Sequence, residues 1–321
     1  MPTATDVVLL FPGQGSQKPG MARDLADTFP AARRTLDEVD AALGEPLSRL
    51  MFDGPAEDLT LTHNAQPALL AHGAAAWAVT RDVLAPHVRA AAGHSLGEFT
   101  AYHAAGALPL ADAARLVRRR GALMYEAGVA HPGAMAALLG DMSEPVEAIC
   151  ERASWEDGIV VPANYNSPGQ IVISGEAAAV DRAMELAKAA GVKRAMRLNV
   201  SGAFHSPLME PAAAGLAQAL DAARFEAPDF PVYANVNADP VTDAGTARTL
   251  LLRQLTAPVR WTDVVARLAE RYPSALFVEM GPGTVLAGLV KKIAPSVRTA
   301  ACGTAADVER LLGELAGTAT A

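Results

Sequence analysis

Apolar and polar positions along this chain alternate between short unbroken runs and stretches with helical spacing. Val7 to Phe11 is an apolar run of strand length, and Met21 to Thr28, Ala31 to Leu43 and Ala65 to Val83 carry the helical repeat. A second apolar run, Val88 to Ala92, leads into a helix-like segment from Leu96 to Ala105, and a further helix is predicted over Ala111 to Tyr125. This alternation predicts an α/β fold with a parallel sheet, whose working groups are expected at the C-terminal ends of the strands.

From Gly133 the order changes. Strand (Ala134 to Leu139), helix (Glu144 to Ala153), strand (Ile159 to Asn164), strand (Gln170 to Ser174), helix (Ala177 to Ala190) and strand (Val192 to Leu198) give β-α-β-β-α-β, the ferredoxin-like order. Asn166-Ser167-Pro168-Gly169 supplies turn chemistry between the middle strands, and Gly191 stops the second helix. The pattern predicts a large α/β subdomain at 1–128 and 200–321, interrupted by a small ferredoxin-like α+β subdomain at 129–199. Pro231 to Val236 and Ala275 to Met280 return the chain to the main sheet, and the Ala/Thr/Gly tail after Leu315 is expected to fray.

Composition narrows the function classes. A chain of 321 residues with 51% hydrophobic side chains has material for a sizeable core. Lys and Arg number 27 against 35 Asp and Glu, a net charge of −8, which argues against general nucleic-acid binding and leaves any acidic partner to a local basic patch. The two cysteines, Cys150 and Cys302, have neither disulfide-scaffold density nor metal-ligand spacing, so no metal site is expected and a reducing cytoplasm suits the chain. No apolar run is long enough to span a bilayer, and Val7 to Phe11 is too short for a signal peptide. The expected location is cytoplasmic, with no membrane partner.

Gly93-His94-Ser95-Leu96-Gly97 follows a strand-like run and opens a helix, the order of a nucleophile elbow. Such a turn holds the Ser95 hydroxyl clear of the sheet at the positive end of a helix, beside backbone N–H groups able to stabilise an oxyanion. A serine needs a base, and of the seven histidines His205 is the best placed, in a loop after a strand and before the helix-start pair Ser206-Pro207. His94 is a competitor whose side chain the tight turn is expected to point elsewhere. His63, His72, His87, His103 and His131 fall on surface-like helices or loops. Arg120 lies in line with Leu116, Leu123 and Met124, while Arg115, Arg118 and Arg119 fall on another face. A guanidinium pointing where apolar residues point needs a carboxylate, either a fixed protein partner or a ligand's. Gln14, in the glycine loop after the first strand, and Leu96, next after the serine, can each offer a backbone N–H to an oxyanion.

Together these segments resemble the malonyl-CoA:acyl-carrier-protein transacylases and the acyltransferase domains of polyketide synthases. The resemblance runs in order from Phe11-Pro12-Gly13-Gln14-Gly15-Ser16-Gln17 through Gly93-His94-Ser95-Leu96-Gly97-Glu98, Arg120-Gly121 and Gly133-Ala134-Met135-Ala136-Ala137. It continues through Asn166-Ser167-Pro168-Gly169-Gln170, Gly202-Ala203-Phe204-His205-Ser206, Arg253-Gln254-Leu255 and Glu279-Met280-Gly281-Pro282-Gly283, nearly the whole chain.

The resemblance implies a hydrolase-like α/β core with a ferredoxin-like insertion. It implies Ser95 as the acylated nucleophile, His205 as the base, Gln14 and Leu96 as the oxyanion hole, and Arg120 as the receptor of the malonyl carboxylate. Gln254 would hold the histidine through its main-chain carbonyl. Phe204 resembles malonyl-selective members, an aromatic ring filling the space a branching methyl needs. The implied reaction moves a malonyl group from malonyl-CoA to the phosphopantetheine thiol of acyl carrier protein, for fatty-acid or polyketide synthesis, with no permanently bound cofactor. Phe99 and His103 stand where tyrosine and an aliphatic residue are usual, and Thr284 replaces a common lysine. Arg118, Arg119, Lys193, Arg194, Lys291 and Lys292 are candidates to meet the acidic carrier. The residues alone leave two rivals, a serine acyl hydrolase and a non-catalytic carrier-binding module.

Overall fold

The computed structural model describes residues 5–200 and 202–319. Its strands, in chain order, are β1 (Val7–Phe11), β2 (Val88–Gly93), β3 (Gly133–Leu139), β4 (Val160–Ser167), β5 (Gln170–Glu176), β6 (Arg194–Arg197), β7 (Val232–Tyr233), β8 (Pro240–Val241), β9 (Leu276–Glu279) and β10 (Arg298–Ala301). Six of them form one sheet in the order β10-β9-β1-β2-β7-β8, parallel except for the β7–β8 hairpin. β1 lies in the middle. Val7, Leu9 and Phe11 enter the core on one face and Val8 and Leu10 the core on the other, which is why its apolar run has no polar break.

The other four strands form an antiparallel sheet in the order β4-β5-β3-β6. Ala134, Ala136 and Leu138 of β3 face the helices Val146–Ala153 and Ala177–Ala189, packing on Ile149, Val180 and Ala183. Met135 and Ala137 turn the opposite way and join the main core. The outer edge of β4 is not free. It makes a parallel bridge to Val259, whose N–H donates to the Ala163 carbonyl at 2.8 Å and whose carbonyl accepts from the Tyr165 N–H at 2.9 Å.

The elements differ from expectation chiefly at short pieces. Two short helices, Leu47–Asp53 and Ala56–Thr60, and the strands β8 and β10 are too brief for their spacing to stand out. The helix Leu110–Ala130 runs on past Tyr125, and β6 is shorter than the predicted Val192 to Leu198. The tail after Leu315, expected to fray, falls on the final turn of the last helix, Ala305–Ala319. Val308 and Leu311 anchor it in the main core, and the Asp307 carboxylate accepts from the Thr304 N–H at 3.1 Å where the helix starts. Thr320 and Ala321 lie outside the described residues. Among those residues no helix is long and apolar enough to cross a membrane.

The helices Thr62–Leu84 and Leu110–Ala130 pack closely because Gly121 has no side chain. A Cβ there would lie 2.6 Å from His63 Cα and 2.8 Å from the Thr62 carbonyl oxygen. Gly121→Ala should therefore lower folding stability by about 1–3 kcal/mol, the usual range for overpacking a close contact. Denaturant unfolding measures this, and an unchanged midpoint would contradict the contact.

Candidate active site

Ser95 sits between β2 and the helix Gly97–Ala104 with a left-handed backbone, φ 52°. The turn is too tight for side chains at its flanks: a Cβ on Gly93 would lie 1.9 Å from the Gly97 carbonyl carbon, and one on Gly97 would lie 2.1 Å from the Phe11 carbonyl oxygen. A non-glycine residue in this region carries strain of roughly 1–3 kcal/mol and persists only when its surroundings over-determine it. They do so here. The Ser95 N–H donates to Asn235 Oδ1 at 2.7 Å, and the Ser95 carbonyl accepts from Gln254 Nε2 at 3.0 Å and from the Glu98 N–H at 3.1 Å.

The structure brings His205 to Ser95. Its Nε2 lies 2.8 Å from Ser95 Oγ, and its Nδ1 lies 2.9 Å from the Gln254 carbonyl oxygen and 3.2 Å from that of Ala257. Carbonyl oxygens only accept, so the ring proton belongs on Nδ1 and Nε2 is left to accept from the serine hydroxyl. The imidazole is buried, and burial followed by the positive charge of Arg120 brings its pKa down to about 3. It is neutral, and geometrically able to take a proton from Oγ. His205 too has a left-handed backbone, φ 56°. Next to it, Ser206 Oγ accepts from the Leu208 N–H and caps the turn Pro207–Ala212.

Arg120 is 1% exposed, on the apolar face with Leu116, Leu123 and Met124. Nη1 donates to Gln66 Oε1 at 2.7 Å; Nη2 donates to Gln254 Oε1 at 2.9 Å and to Ser95 Oγ at 3.2 Å. All three acceptors are neutral, Nε has no acceptor, and among the described residues no carboxylate stands within ion-pair distance of the guanidinium. Of the two partners open from the sequence, a fixed protein carboxylate is absent there. Burial lowers the guanidinium pKa to about 10, against the pull of the Glu98 charge, so it stays a cation at neutral pH. Phe99 supports it from below, its ring centroid 5.4 Å from Cζ. The position where this chain departs from tyrosine thus lies behind the guanidinium rather than in the cleft lining.

Three further residues hold this arrangement and were not singled out by sequence. Glu98 is fully buried, and its Oε2 accepts from the Asn235 N–H at 3.0 Å and from Gln254 Nε2 at 2.7 Å. Burial pushes its pKa up to about 7, opposed by those bonds and by Arg120. Asn235 spans the elbow, donating Nδ2 to the Gly93 carbonyl at 2.7 Å while accepting from Ser95. Gln66 receives Arg120 from the first turns of the helix Thr62–Leu84. The available signal was a polar residue inside an apolar run: Asn235 within Pro231 to Val236, and Gln66 ahead of the alanine- and leucine-rich stretch that follows it.

A cleft of about 430 Å³ opens over these groups between the two sheets. Gln14, Ser95, Leu96, Arg120 and His205 line it, with Met135, Asn164 and Leu198 to Val200 from the smaller sheet and its exit, and Phe204 beside His205. The main-chain N–H groups of Gln14 and Leu96 donate to no acceptor among the described residues. His94 points elsewhere than Ser95, as expected, with Nε2 2.8 Å from Asn166 Oδ1 and its ring against Trp261, although it still lines the cleft. His72 is buried rather than surface-like, bonded to the Gly303 carbonyl at 2.8 Å, and His103 is partly buried against the Leu108 carbonyl. Neither lines the cleft. Arg118 is tied to Glu45, Asn64 and the His63 carbonyl, so it is not a free surface charge; Lys193, Arg194, Lys291 and Lys292 are exposed.

Residues 8–316 match the acyl transferase domain family. The chain is 47% identical over 296 residues to the malonyl CoA-acyl carrier protein transacylase of Bacillus subtilis (strain 168), covering 92% of each chain. The acyl-carrier-protein-S-malonyltransferase of Bartonella henselae superposes with a TM-score of 0.91 at 44% identity, covering 97% of this chain and 99% of that one. A malonyl-transacylase solved in complex with its type II PKS acyl-carrier protein superposes with a TM-score of 0.91 at 42% identity, covering 97% and 100%. With a strained serine, a neutral imidazole and an uncompensated guanidinium around one cleft, and with likeness of this extent, the chain belongs to the acyl transferase family, among the malonyl CoA-acyl carrier protein transacylases.

Proposed function

We propose that this protein transfers a malonyl group from malonyl-CoA to the phosphopantetheine thiol of an acyl carrier protein through a malonyl ester on Ser95. The observation that carries this reading is the buried Arg120 cation, without a carboxylate partner among the described residues and 3.2 Å from the Ser95 hydroxyl. A desolvated charge of this kind is costly unless a counter-charge arrives. A carboxylate on the acyl group supplies it at the reacting atom. A plain acyl hydrolase has no use for the guanidinium, and a non-catalytic module has none for a serine and imidazole at 2.8 Å.

In this reading His205 takes the Ser95 proton as Oγ attacks the thioester carbonyl carbon, and the carbonyl electron pair moves onto oxygen. The N–H groups of Gln14 and Leu96 receive that oxyanion. Collapse expels the CoA thiolate, to which the His205 imidazolium returns the proton. The carrier thiol then enters, gives its proton to His205 and attacks the ester, and Ser95 leaves with that proton restored. The Gln254 and Ala257 carbonyls keep His205 in the tautomer both halves require. The substrate carboxylate also offsets the Arg120 charge that opposes protonation of His205, so binding an acid improves the base.

The cleft would lie between a hydrolase-like subdomain, 1–128 with 200–321, and a ferredoxin-like one, 129–199, an assignment supported by the two sheets and the β4-β5-β3-β6 order. Phe204, buried beside His205, narrows the space available to a branched acyl chain and favours malonyl over methylmalonyl groups. The exposed Lys193, Arg194, Lys291 and Lys292 offer positive charge to an acidic carrier.

Ser95→Ala should form no malonyl adduct by intact-protein mass spectrometry, and an adduct on that variant would end the proposal. Arg120→Ala should lower kcat/KM for malonyl-CoA about 10- to 100-fold more than for acetyl-CoA, as expected for a charge-assisted bond of about 1.5–3 kcal/mol; equal losses would make Arg120 structural. Because the pKa of His205 is lowered, its neutral form persists below the ordinary imidazole range. The acid limb of kcat/KM assigned to it should therefore lie well under pH 6.5. An inflection near 6.5 that survives Glu98→Gln would contradict this.

A further inference from the structure

We infer that Thr62 is a positioning residue, its hydroxyl the middle link of a buried relay that lets the Arg120 guanidinium set the placement of the Gln14 loop. The relay is explicit in the distances. Arg120 Nη1 donates to Gln66 Oε1 at 2.7 Å, Gln66 Nε2 donates to Thr62 Oγ1 at 3.0 Å, and Thr62 Oγ1 donates to Gln14 Oε1 at 2.9 Å. Thr62 is 0% exposed and Gln66 1%, so water does not compete for these bonds.

Its direction follows from the chemistry of its first member. A guanidinium has donors and no acceptor, so Gln66 must turn its carbonyl oxygen to Arg120 and its amide nitrogen away. That nitrogen occupies the Thr62 oxygen as a donor, which leaves the single hydroxyl proton of Thr62 for Gln14. The Gln14 side-chain oxygen is thereby the end of a chain polarised by one buried cation, in a setting where each bond strengthens the next.

What the chain holds is a glycine-flanked segment, tied further on by the Gly15 N–H, which donates to Gln17 Oε1 at 2.7 Å. Gln14 lies between Gly13 and Gly15, Gly15 has φ 105°, and among the described residues the Thr62 bond is the one hydrogen bond of the Gln14 side chain. On its other side the loop meets the elbow: a Cβ on Gly13 would lie 2.5 Å from the His94 carbonyl oxygen. The main-chain N–H of Gln14 is thus located by contact with the elbow at one end and by Thr62 at the other. The inference rests on the proposed function, in which that N–H receives the oxyanion; it adds that the group receiving the acid also sets the loop that receives the reacting oxygen.

The test is the single-turnover burst of CoA release from malonyl-CoA. Thr62→Val keeps the side-chain shape and removes the hydroxyl, and Thr62→Ser keeps the hydroxyl. Deleting an oxyanion donor outright costs about 10²–10³ in rate, so displacing one is expected to slow the saturated burst of Thr62→Val about tenfold or more. The half-saturating malonyl-CoA concentration should stay within about threefold of wild type, because Arg120 keeps its bonds to Gln66 and Gln254, and Thr62→Ser should recover most of the rate. Gln14→Met breaks the same link from the partly exposed end, where folding is not at stake, and its loss should not multiply with that of Thr62→Val. An unchanged burst in Gln14→Met, a Thr62→Ser variant as slow as Thr62→Val, or losses that multiply would overturn the relay. Absence of a burst in the wild type would instead overturn the proposed function.

Discussion

The site is organised around the enclosure of one positive charge. Arg120 brings donors and no acceptor into the interior, and the side chains around it are arranged to suit. Gln66 and Gln254 each present an amide oxygen to it, Ser95 presents its hydroxyl, and Phe99 presents the face of a ring. Neutral dipoles solvate a cation without cancelling it. A built-in carboxylate at contact distance would have made the interior more comfortable and the site useless for an acid. Glu98, whose charge acts on Arg120, is held one amide away, bonded to Gln254 rather than to the guanidinium.

The same amides tie the cation to the strained serine. Gln254 accepts from Arg120 with its oxygen and donates to the Ser95 carbonyl and to Glu98 with its nitrogen, while its own main-chain carbonyl holds His205. Asn235 closes the circuit by taking the Ser95 N–H. Serine, imidazole and guanidinium are therefore located by one residue in common, which suits a site where displacements of an ångström matter. Both Ser95 and His205 lie in the left-handed region, so the two side chains that meet at 2.8 Å stand on backbone that this network must keep in place.

Much of this was legible from the chain alone. β1 and β2 announced themselves as apolar runs, the Gly93 to Gly97 turn as an elbow, and Arg120 as a charge on an apolar face, because each breaks or keeps a period that a single segment displays. The order of strands and helices in 133–198 likewise depends only on local spacing. What stayed hidden depends on contacts between distant segments. Asn235 and Gln66 look like ordinary polar residues until folding sets them against Ser95 and Arg120. The partners that take His94 away from Ser95, Asn166 and Trp261, are both far along the chain and could not be read from the turn.

The bridge between β4 and Val259 ties the jaws of the cleft to the imidazole inside it. Ala257 and Gln254, whose carbonyls orient the imidazole, lie just before Val259 on the same stretch of chain. With that pairing intact, the smaller sheet cannot swing outward at this edge without dragging on the very segment that aims His205. Aperture and imidazole share a lever, and a change of clearance at this edge is registered at the ring that faces the Ser95 hydroxyl.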